Sequence, residues 1–252
     1  FSFIHYKELK RQKYGFDVFT EMLNMTKEYT SLEELNNNPP KAHFYLTGSD
    51  QIFTLREDEF TVSRNMLKFG EENVPRFSFA ASLADYDLSD NEKEKFRQIL
   101  NRYRCVSLRE EDAKKYFQTF MEGVFQVHLD PIFLIKPSRW EDIAIPPDYE
   151  DEYILYFQVN SNPIANNILR KLKYQDNLTV VCIQTNPLVR VKADKVVLDA
   201  SPEEFLGWMI NAKKIITTSF HGTAFSILFH KDFYTITKRN SNPTRIKNML
   251  NR

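Results

Sequence analysis

The sequence predicts an α/β protein built as two Rossmann-like domains facing one another across a cleft. Three observations carry that expectation. Apolar, strand-like stretches alternate with helical ones along most of the 252 residues, polar segments follow the carboxyl ends of several strands, and a proline-rich, charged stretch divides the alternation near its middle. Strands alternating with helices imply parallel sheets covered on both faces. The length suffices for two such cores.

Composition narrows the class. Hydrophobic residues make up 42% and charged residues 27%, as in a soluble globular protein. Lys plus Arg number 34 and Asp plus Glu also number 34, so there is no basic surplus to displace counterions from a nucleic acid, and no nucleic-acid partner is expected. The 21 Phe and 12 Tyr are scattered rather than grouped into a base-stacking platform. Cys105 and Cys182 fall in predicted strands of different halves, so no disulfide is expected and a reducing cytoplasm is the expected compartment. No apolar run approaches the roughly 18 residues that span a bilayer. The chain starts at Phe1 rather than Met, and its first residues do not read as a domain start, so an incomplete amino-terminal part is expected.

The elements follow in order. Residues 1–38 are mainly helical in pattern, with Asp17 as a cap for a helix through Met25 and Ser31 with Glu34 as a capping box. Residues 42–47 read as a strand that delivers Gly48-Ser49-Asp50-Gln51 at its carboxyl end. Residues 54–74 suit a loop and a short helix. A strand at 76–81 leads into the polar segment 82–86, and Ser89 with Glu92 starts a helix through Tyr103 whose Phe96, Ile99, Leu100 and Tyr103 share one face. Residues 104–108 form the next strand, Arg109-Glu110-Glu111-Asp112 opens a helix, and the strand 124–129 closes on Asp130-Pro131. The amino-terminal domain is thus expected over 1–135, a linker rich in proline over 136–152, and a carboxy-terminal domain over 153–252.

The second half repeats the alternation: strand 153–159, helix 163–174, strands 178–183 and 195–198, and a helix from Ser201-Pro202-Glu203-Glu204, which has Pro at its first position and a capping box. Residues 214–218 make a β-branched strand and 224–229 a helix. Between them lies Ser219-Phe220-His221-Gly222-Thr223. A strand turning directly into a helix aims unpaired N–H groups into the crevice at the strand's end, where an anion sits well. Ser219 and Thr223 add hydroxyls, Gly222 permits close approach to the backbone, and His221 is able to move a proton near neutral pH. A plainer reading makes Ser219 a helix cap and His221 a surface or core residue. A strand at 232–236 and a helix from Pro243 complete the chain. Neither a dinucleotide-binding Gly-x-Gly-x-x-Gly nor a P-loop occurs. His5, His43, His128 and His230 lack metal-ligand spacing, so no metal site is expected.

Taken together, Gly48-Ser49-Asp50-Gln51-Ile52-Phe53, Phe77 to Ser82, Val106 to Glu110, Leu129-Asp130-Pro131, Ser201 to Phe205 and Thr218 to Thr223 resemble, in order and spacing, the polysaccharide pyruvyl transferases. The resemblance implies a GT-B-like pair of domains, the amino-terminal one on the acceptor side and the carboxy-terminal one on the donor side. It implies phosphoenolpyruvate as donor substrate, no cofactor, and a glycan or lipid-linked sugar as acceptor in capsule or exopolysaccharide synthesis. The expected location is cytoplasmic, at the inner face of the membrane beside membrane-bound assembly enzymes. By position, His221 would be the catalytic histidine and Arg109 a donor-binding arginine. Some relatives carry an Arg where this chain has Ser219, so a second cation is sought at Arg245 or Lys238. The family's glycine-rich amino-terminal strand and loop are not visible, which an incomplete chain or a reduced domain would explain.

Phosphoenolpyruvate carries a phosphate and a carboxylate, which the helix after Ser219 and the Arg109 guanidinium would hold. His221 would then protonate the enol-ether carbon or act as base on the acceptor hydroxyl. A helix amino terminus disfavours imidazolium by about 0.3–1 kcal/mol, whereas a nearby anion raises the pKa by about 1–3 units, so donor binding would charge the acid. Asp50 is a candidate base, with an Asx-turn as its plainer role. Gly48, Ser49 and Gln51 are expected on the acceptor sugar. Arg109 has an alternative partner in Asp112, and Asp130 reads as a turn device or a cleft carboxylate. Two other functions fit the same elements: a GT-B glycosyltransferase using a nucleotide sugar, and a non-catalytic glycan-binding protein.

Overall fold

The computed structural model describes residues 5–84, 86–158, 162–184, 186, 189, 191–237 and 244–252. It contains two parallel sheets, one of four strands and one of five, as two Rossmann-like α/β domains require. The chain divides into two units: Phe1–Met25 with Ile135–Pro243, and Thr26–Leu134 with Thr244–Arg252. This differs from the linear division at 135 and 153, because each terminal helix belongs with the half distant in sequence. The segment 136–152 belongs with the second sheet rather than standing as a separate linker. It holds a helix, and Ile145 N–H donates to the Glu203 carbonyl.

Helix α1 (Tyr6–Glu21) opens the chain. Asp17 does not cap it; it lies inside the helix and accepts from Lys13 Nζ one turn away. Gly15 of α1 lies against Ser201, where a Cβ would come within 2.7 Å of the serine Cβ.

The first-sheet unit then runs α2 (Leu32–Asn37), β1 (Tyr45–Thr47), α3 (Glu59–Asn65), β2 (Arg76–Ser78), α4 (Asp90–Leu100), β3 (Tyr103–Leu108), α5 (Glu111–Gln118) and β4 (Phe125–Val127). Its strands lie in sequential order, β1-β2-β3-β4. Ser31 caps α2 through the Glu34 N–H, but Glu34 reaches back to Thr30 instead of Ser31, so only half of the expected box forms. At Ser89 both halves form. The strand expected over 76–81 ends at Ser78, ahead of Ala80, whose φ of 49° lies in the left-handed region; pairing resumes at Ala81 with Leu108. Tyr103 begins β3 rather than ending α4, which stops at Leu100 with Asn101 as its cap. Phe53, Phe96, Phe117, Leu83 and Leu108 form the core of this unit. Arg76 is fully buried and donates to the carbonyls of Leu67, Phe69, Gly70, Glu71 and Val74, so five backbone acceptors hold its charge.

The second-sheet unit continues with α6 (Pro137–Ile143), β5 (Tyr153–Gln158), α7 (Pro163–Asp176), β6 (Thr179–Gln184), β7 (Lys195–Val197), α8 (Pro202–Asn211), β8 (Lys214–Thr217), α9 (Phe220–Leu228) and β9 (Asp232–Thr235); α10 (Thr244–Leu250) returns to the first-sheet unit. The order β7-β6-β5-β8-β9 is parallel throughout. The near-continuous apolar runs of β5 and β6 suit a sheet buried on both faces. The capping box at Ser201 starts α8 as expected. Gly207 of α8 is dictated by packing: a Cβ there would meet the Ile145 carbonyl oxygen at 1.8 Å. Both cysteines are free thiols, and burial pushes the Cys182 thiol up to about 12. No described helix is long and apolar enough to cross a membrane.

Candidate functional site

In the second sheet, chain order reverses at β5: β6 and β7 lie to one side, β8 and β9 to the other. The loops leaving β5 and β8 therefore diverge, and a crevice opens outside their carboxyl ends. A cavity of about 400 Å³ lies within this unit, lined among others by Phe157, Gln184, Phe205, Ser219, His221 and Phe225. Its wall is mainly apolar, with several aromatic rings. Phe205 stands with its ring centroid 4.8 Å from Phe157 and 6.1 Å from Phe225. Gln158 and Gln184, the last residues of β5 and β6, are both buried, and the Gln158 amide donates to Gln184 Oε1 at 2.8 Å.

Helix α9 begins at Phe220, one turn before the helix expected from 224, because Ser219 caps it. Ser219 Oγ accepts from Gly222 N–H at 3.3 Å, and the Ser219 carbonyl accepts from Thr223 N–H at 3.1 Å. The Thr223 hydroxyl donates to the same carbonyl and also bonds Thr235 Oγ1. Gly222 is required by packing, since a Cβ would stand 2.3 Å from Thr217 Oγ1 and 2.9 Å from Phe157 Cδ1. This corrects the expected roles of Gly222 and Thr223. Both are buried, with the Gly222 N–H bonded to Ser219 Oγ and the Thr223 hydroxyl to the Ser219 carbonyl and Thr235, so the open glycine backbone and the free threonine hydroxyl that the sequence suggested are engaged within the protein. Ser219 combines its cap with a place in the cavity wall, and half-buried His221 lines the same cavity.

The first-sheet unit carries a different cluster at the carboxyl ends of its strands. Arg109 follows β3 and is 4% exposed. Its Nη1 donates to Asp130 Oδ2 at 2.9 Å, its Nε to Glu110 Oε1 at 3.3 Å, and its Nη2 lies 3.8 Å from Asp50 Oδ1. Ser49 Oγ donates to the same Asp130 oxygen, and Ser82 Oγ to Glu110 Oε1 at 2.7 Å. Asp130 also accepts from Ile132 N–H, so it anchors the turn and the arginine together. Burial raises the Glu110 carboxyl above the usual carboxylate range, against the opposing hydrogen bond from Ser82 and charge of Arg109. Arg245, at the start of α10, belongs to this cluster. Burial first, and then the like charge of Arg109, lower its pKa, while Glu110, Asp50 and Tyr86 act in the opposite sense.

The predicted residues thus fall into two sets. Ser219, His221, Gly222 and Thr223 lie in the second-sheet unit, and Gly48, Ser49, Asp50, Gln51, Arg109 and Arg245 in the other. Arg109 does not pair with Asp112, whose carboxylate accepts from Asn248 instead. Asp50 is largely exposed; its carboxylate accepts from the adjacent Gln51 N–H at 2.8 Å, and the Ile52 N–H that would close an Asx turn donates to the Asp50 backbone carbonyl instead. Gln51 is exposed. Gly48 has φ +144°, and a Cβ would meet the Phe79 carbonyl oxygen at 2.0 Å, so it serves the close approach of two strand ends. Lys238 lies outside the described residues. Sequence reasoning passed over Glu110, Ser82, Tyr86, Gln158 and Gln184. For the two glutamines a signal existed: each ends an otherwise apolar strand.

Three comparisons bear on these sets. The family model described as polysaccharide pyruvyl transferase matches residues 3–238. Among curated proteins none matches. Similar solved structures include the UDP-GlcNAc 2-epimerase of Neisseria meningitidis bound to UDP-GlcNAc, 14% identical with a TM-score of 0.51, covering 89% of this chain and 70% of that one. The UDP-N-acetylglucosamine 2-epimerase of Rickettsia bellii is 15% identical with a TM-score of 0.51, covering 80% and 57%. A putative UDP-N-acetylglucosamine 2-epimerase of Listeria monocytogenes is 10% identical with a TM-score of 0.54, covering 85% and 62%. At such identities the likeness is one of fold.

Proposed function

Because this chain belongs to the polysaccharide pyruvyl transferase family, we propose that it moves the enolpyruvyl group of phosphoenolpyruvate onto two hydroxyls of a sugar, forming a cyclic pyruvate ketal. The acceptor is a surface glycan or its lipid-linked precursor, met at the inner face of the membrane. The observation that carries this reading is His221 in the wall of a cavity at the switch point of the second sheet. A proton-transferring side chain in a largely apolar wall suits addition of a proton to carbon.

In the reaction, the methylene carbon of the donor takes a proton, leaving an oxocarbenium-like centre at the carbon bearing the phosphate. One sugar hydroxyl adds there and releases its proton. The phosphate then leaves with the electrons of its C–O bond, and the second hydroxyl closes the ketal with loss of its own proton. His221 is assigned the first proton, or the proton released by the acceptor. Within the first-sheet unit, Arg245 is assigned an anionic group; it makes no hydrogen bond or ion pair among the described residues. Arg109, already balanced by Asp130, serves chiefly to add positive potential there. Asp50 is kept as a candidate base towards the acceptor because its carboxylate is exposed.

Incubation with phosphoenolpyruvate and a panel of glycosides tests the proposal. Phosphate release together with a product mass gain matching a pyruvate ketal is expected, and neither appearing would end it. The aromatic cavity wall also suits a nucleobase, which favours a nucleotide-sugar enzyme as the second reading. Thermal stabilisation by UDP or GDP without any by phosphoenolpyruvate would select it.

A further inference from the structure

Three polar groups lie within electrostatic reach of one another at the strand ends of the first sheet. Glu110 Oε2 and Tyr86 Oη are buried with no hydrogen-bond partner among the described residues. Arg245 is the third, interacting with both through charge alone. Buried polar groups are nearly always partnered, so two such orphans with a guanidinium acting on both mark a place where something else completes the bonding. Resting on the assignment of Arg245 to an anion, we propose that Glu110 is a proton-operated gate on that site. With its carboxyl protonated the site admits an anionic group, and with its carboxylate ionised the site excludes one.

The arrangement of charge gives the reason. Arg109 is balanced by Asp130, so the charge that decides binding at Arg245 is that of Glu110, with Asp50 further out in solvent. Glu110 Oε1 is occupied by Ser82 and by Arg109 Nε, leaving Oε2 buried and without a hydrogen-bond partner among the described residues. An ionised Oε2 acts as an internal anion for Arg245 and repels a guest. A protonated one removes that charge and offers an O–H donor to an incoming oxygen. The groups around this carboxyl are Ser82 and Tyr86 from the segment after β2, Arg109 beside it, Arg245 from α10, Asp50 from the loop after β1, and Asp112 from the first turn of α5, which acts on Tyr86. Tyr86 does not ionise near neutrality, since burial drives its hydroxyl above the ordinary tyrosine range. Glu110, raised by burial, is the group whose charge changes as pH rises from the carboxylate range.

Inorganic sulfate is a suitable probe, because it does not itself titrate between about pH 5 and about pH 8. Calorimetry on the whole chain in buffers of different ionisation enthalpy counts the protons taken up on binding. Uptake approaching one proton above the Glu110 pKa is expected, with affinity falling about tenfold per pH unit there. Glu110→Gln keeps both acceptor contacts and should bind sulfate without pH dependence, at least as tightly as the parent at its most acidic. Arg245→Gln should lose the binding and its proton uptake together. No proton uptake by the parent, or the same slope in parent and Glu110→Gln, overturns the gate, and uptake that persists in Arg245→Gln does so too. The parent measurement needs no variant to fold. A protein that takes up a proton with sulfate but never turns over phosphoenolpyruvate would keep this inference and lose the transferase reading.

Discussion

The two sheets end differently, and the difference follows from strand order. In the first sheet β1 to β4 lie in sequence, so every crossover steps the same way and successive strand ends stand side by side. Ser49, Ser82, Arg109 with Glu110, and Asp130 come from those four ends and meet one another. In the second sheet the order reverses at β5, the loops part, and a cavity of about 400 Å³ remains. One end therefore satisfies most of its own polar groups, while the other leaves space beside a histidine.

The sharpest test of that contrast is His221→Gln. It should lower product formation by about 10²–10⁴-fold with little change in the unfolding midpoint, since His221 is only partly buried; wild-type turnover would remove the second sheet from the chemistry. Asp130→Ala attacks the other end by leaving Arg109 buried without its main carboxylate. A loss of about 3–5 kcal/mol in urea unfolding is expected, and a loss too small to measure would mean that the cluster is not the closed ion pair it resembles. Gly222→Ala should cost about 1–3 kcal/mol, because its methyl group has to displace Thr217 or Phe157. Were the melting temperature to hold while the donor KM alone rose, ligand approach rather than packing would explain the glycine. Ser89→Ala and Ser201→Ala remove one capping box from each unit and should each lower stability by about 1 kcal/mol.

The smallest effect is a dependence of stability on pH. The folded-state pKa of Glu110 lies above its ordinary value of 4.5. The stability this group contributes is therefore complete below about pH 4.5 and declines as pH rises through the folded value. Glu110→Gln should flatten that part of the profile, and unchanged curvature in the variant would assign it to another group.

Element types were legible over much of the chain because apolar periodicity and caps are local properties. Ser89-Glu92 and Ser201-Glu204 marked helix starts that form as read, and the residues of β5, β6 and β8 were recognisable as buried strands. Boundaries were less legible where a backbone conformation intervenes, as at Ala80, or where a cap starts a helix early, as at Ser219. At the candidate site, His221 and Arg109 could be singled out from the motif, but their surroundings could not. Glu110 looked like the start of a helix, Asp130 like a turn device or a cleft carboxylate, and Gly222 like a ligand-facing glycine.

By itself, then, the chain's order of residues determined the alternation of strands and helices, the two parallel sheets that alternation demands, and the family, since each depends on spacing along the backbone. Only the folded arrangement decided that the terminal helices belong with distant halves, that Arg109 is sealed among carboxylates, and that Arg245 stands beside Glu110. Those outcomes depend on which strand ends become neighbours and how deeply each charge is withdrawn from water. Both are set by long-range packing, to which local pattern is blind.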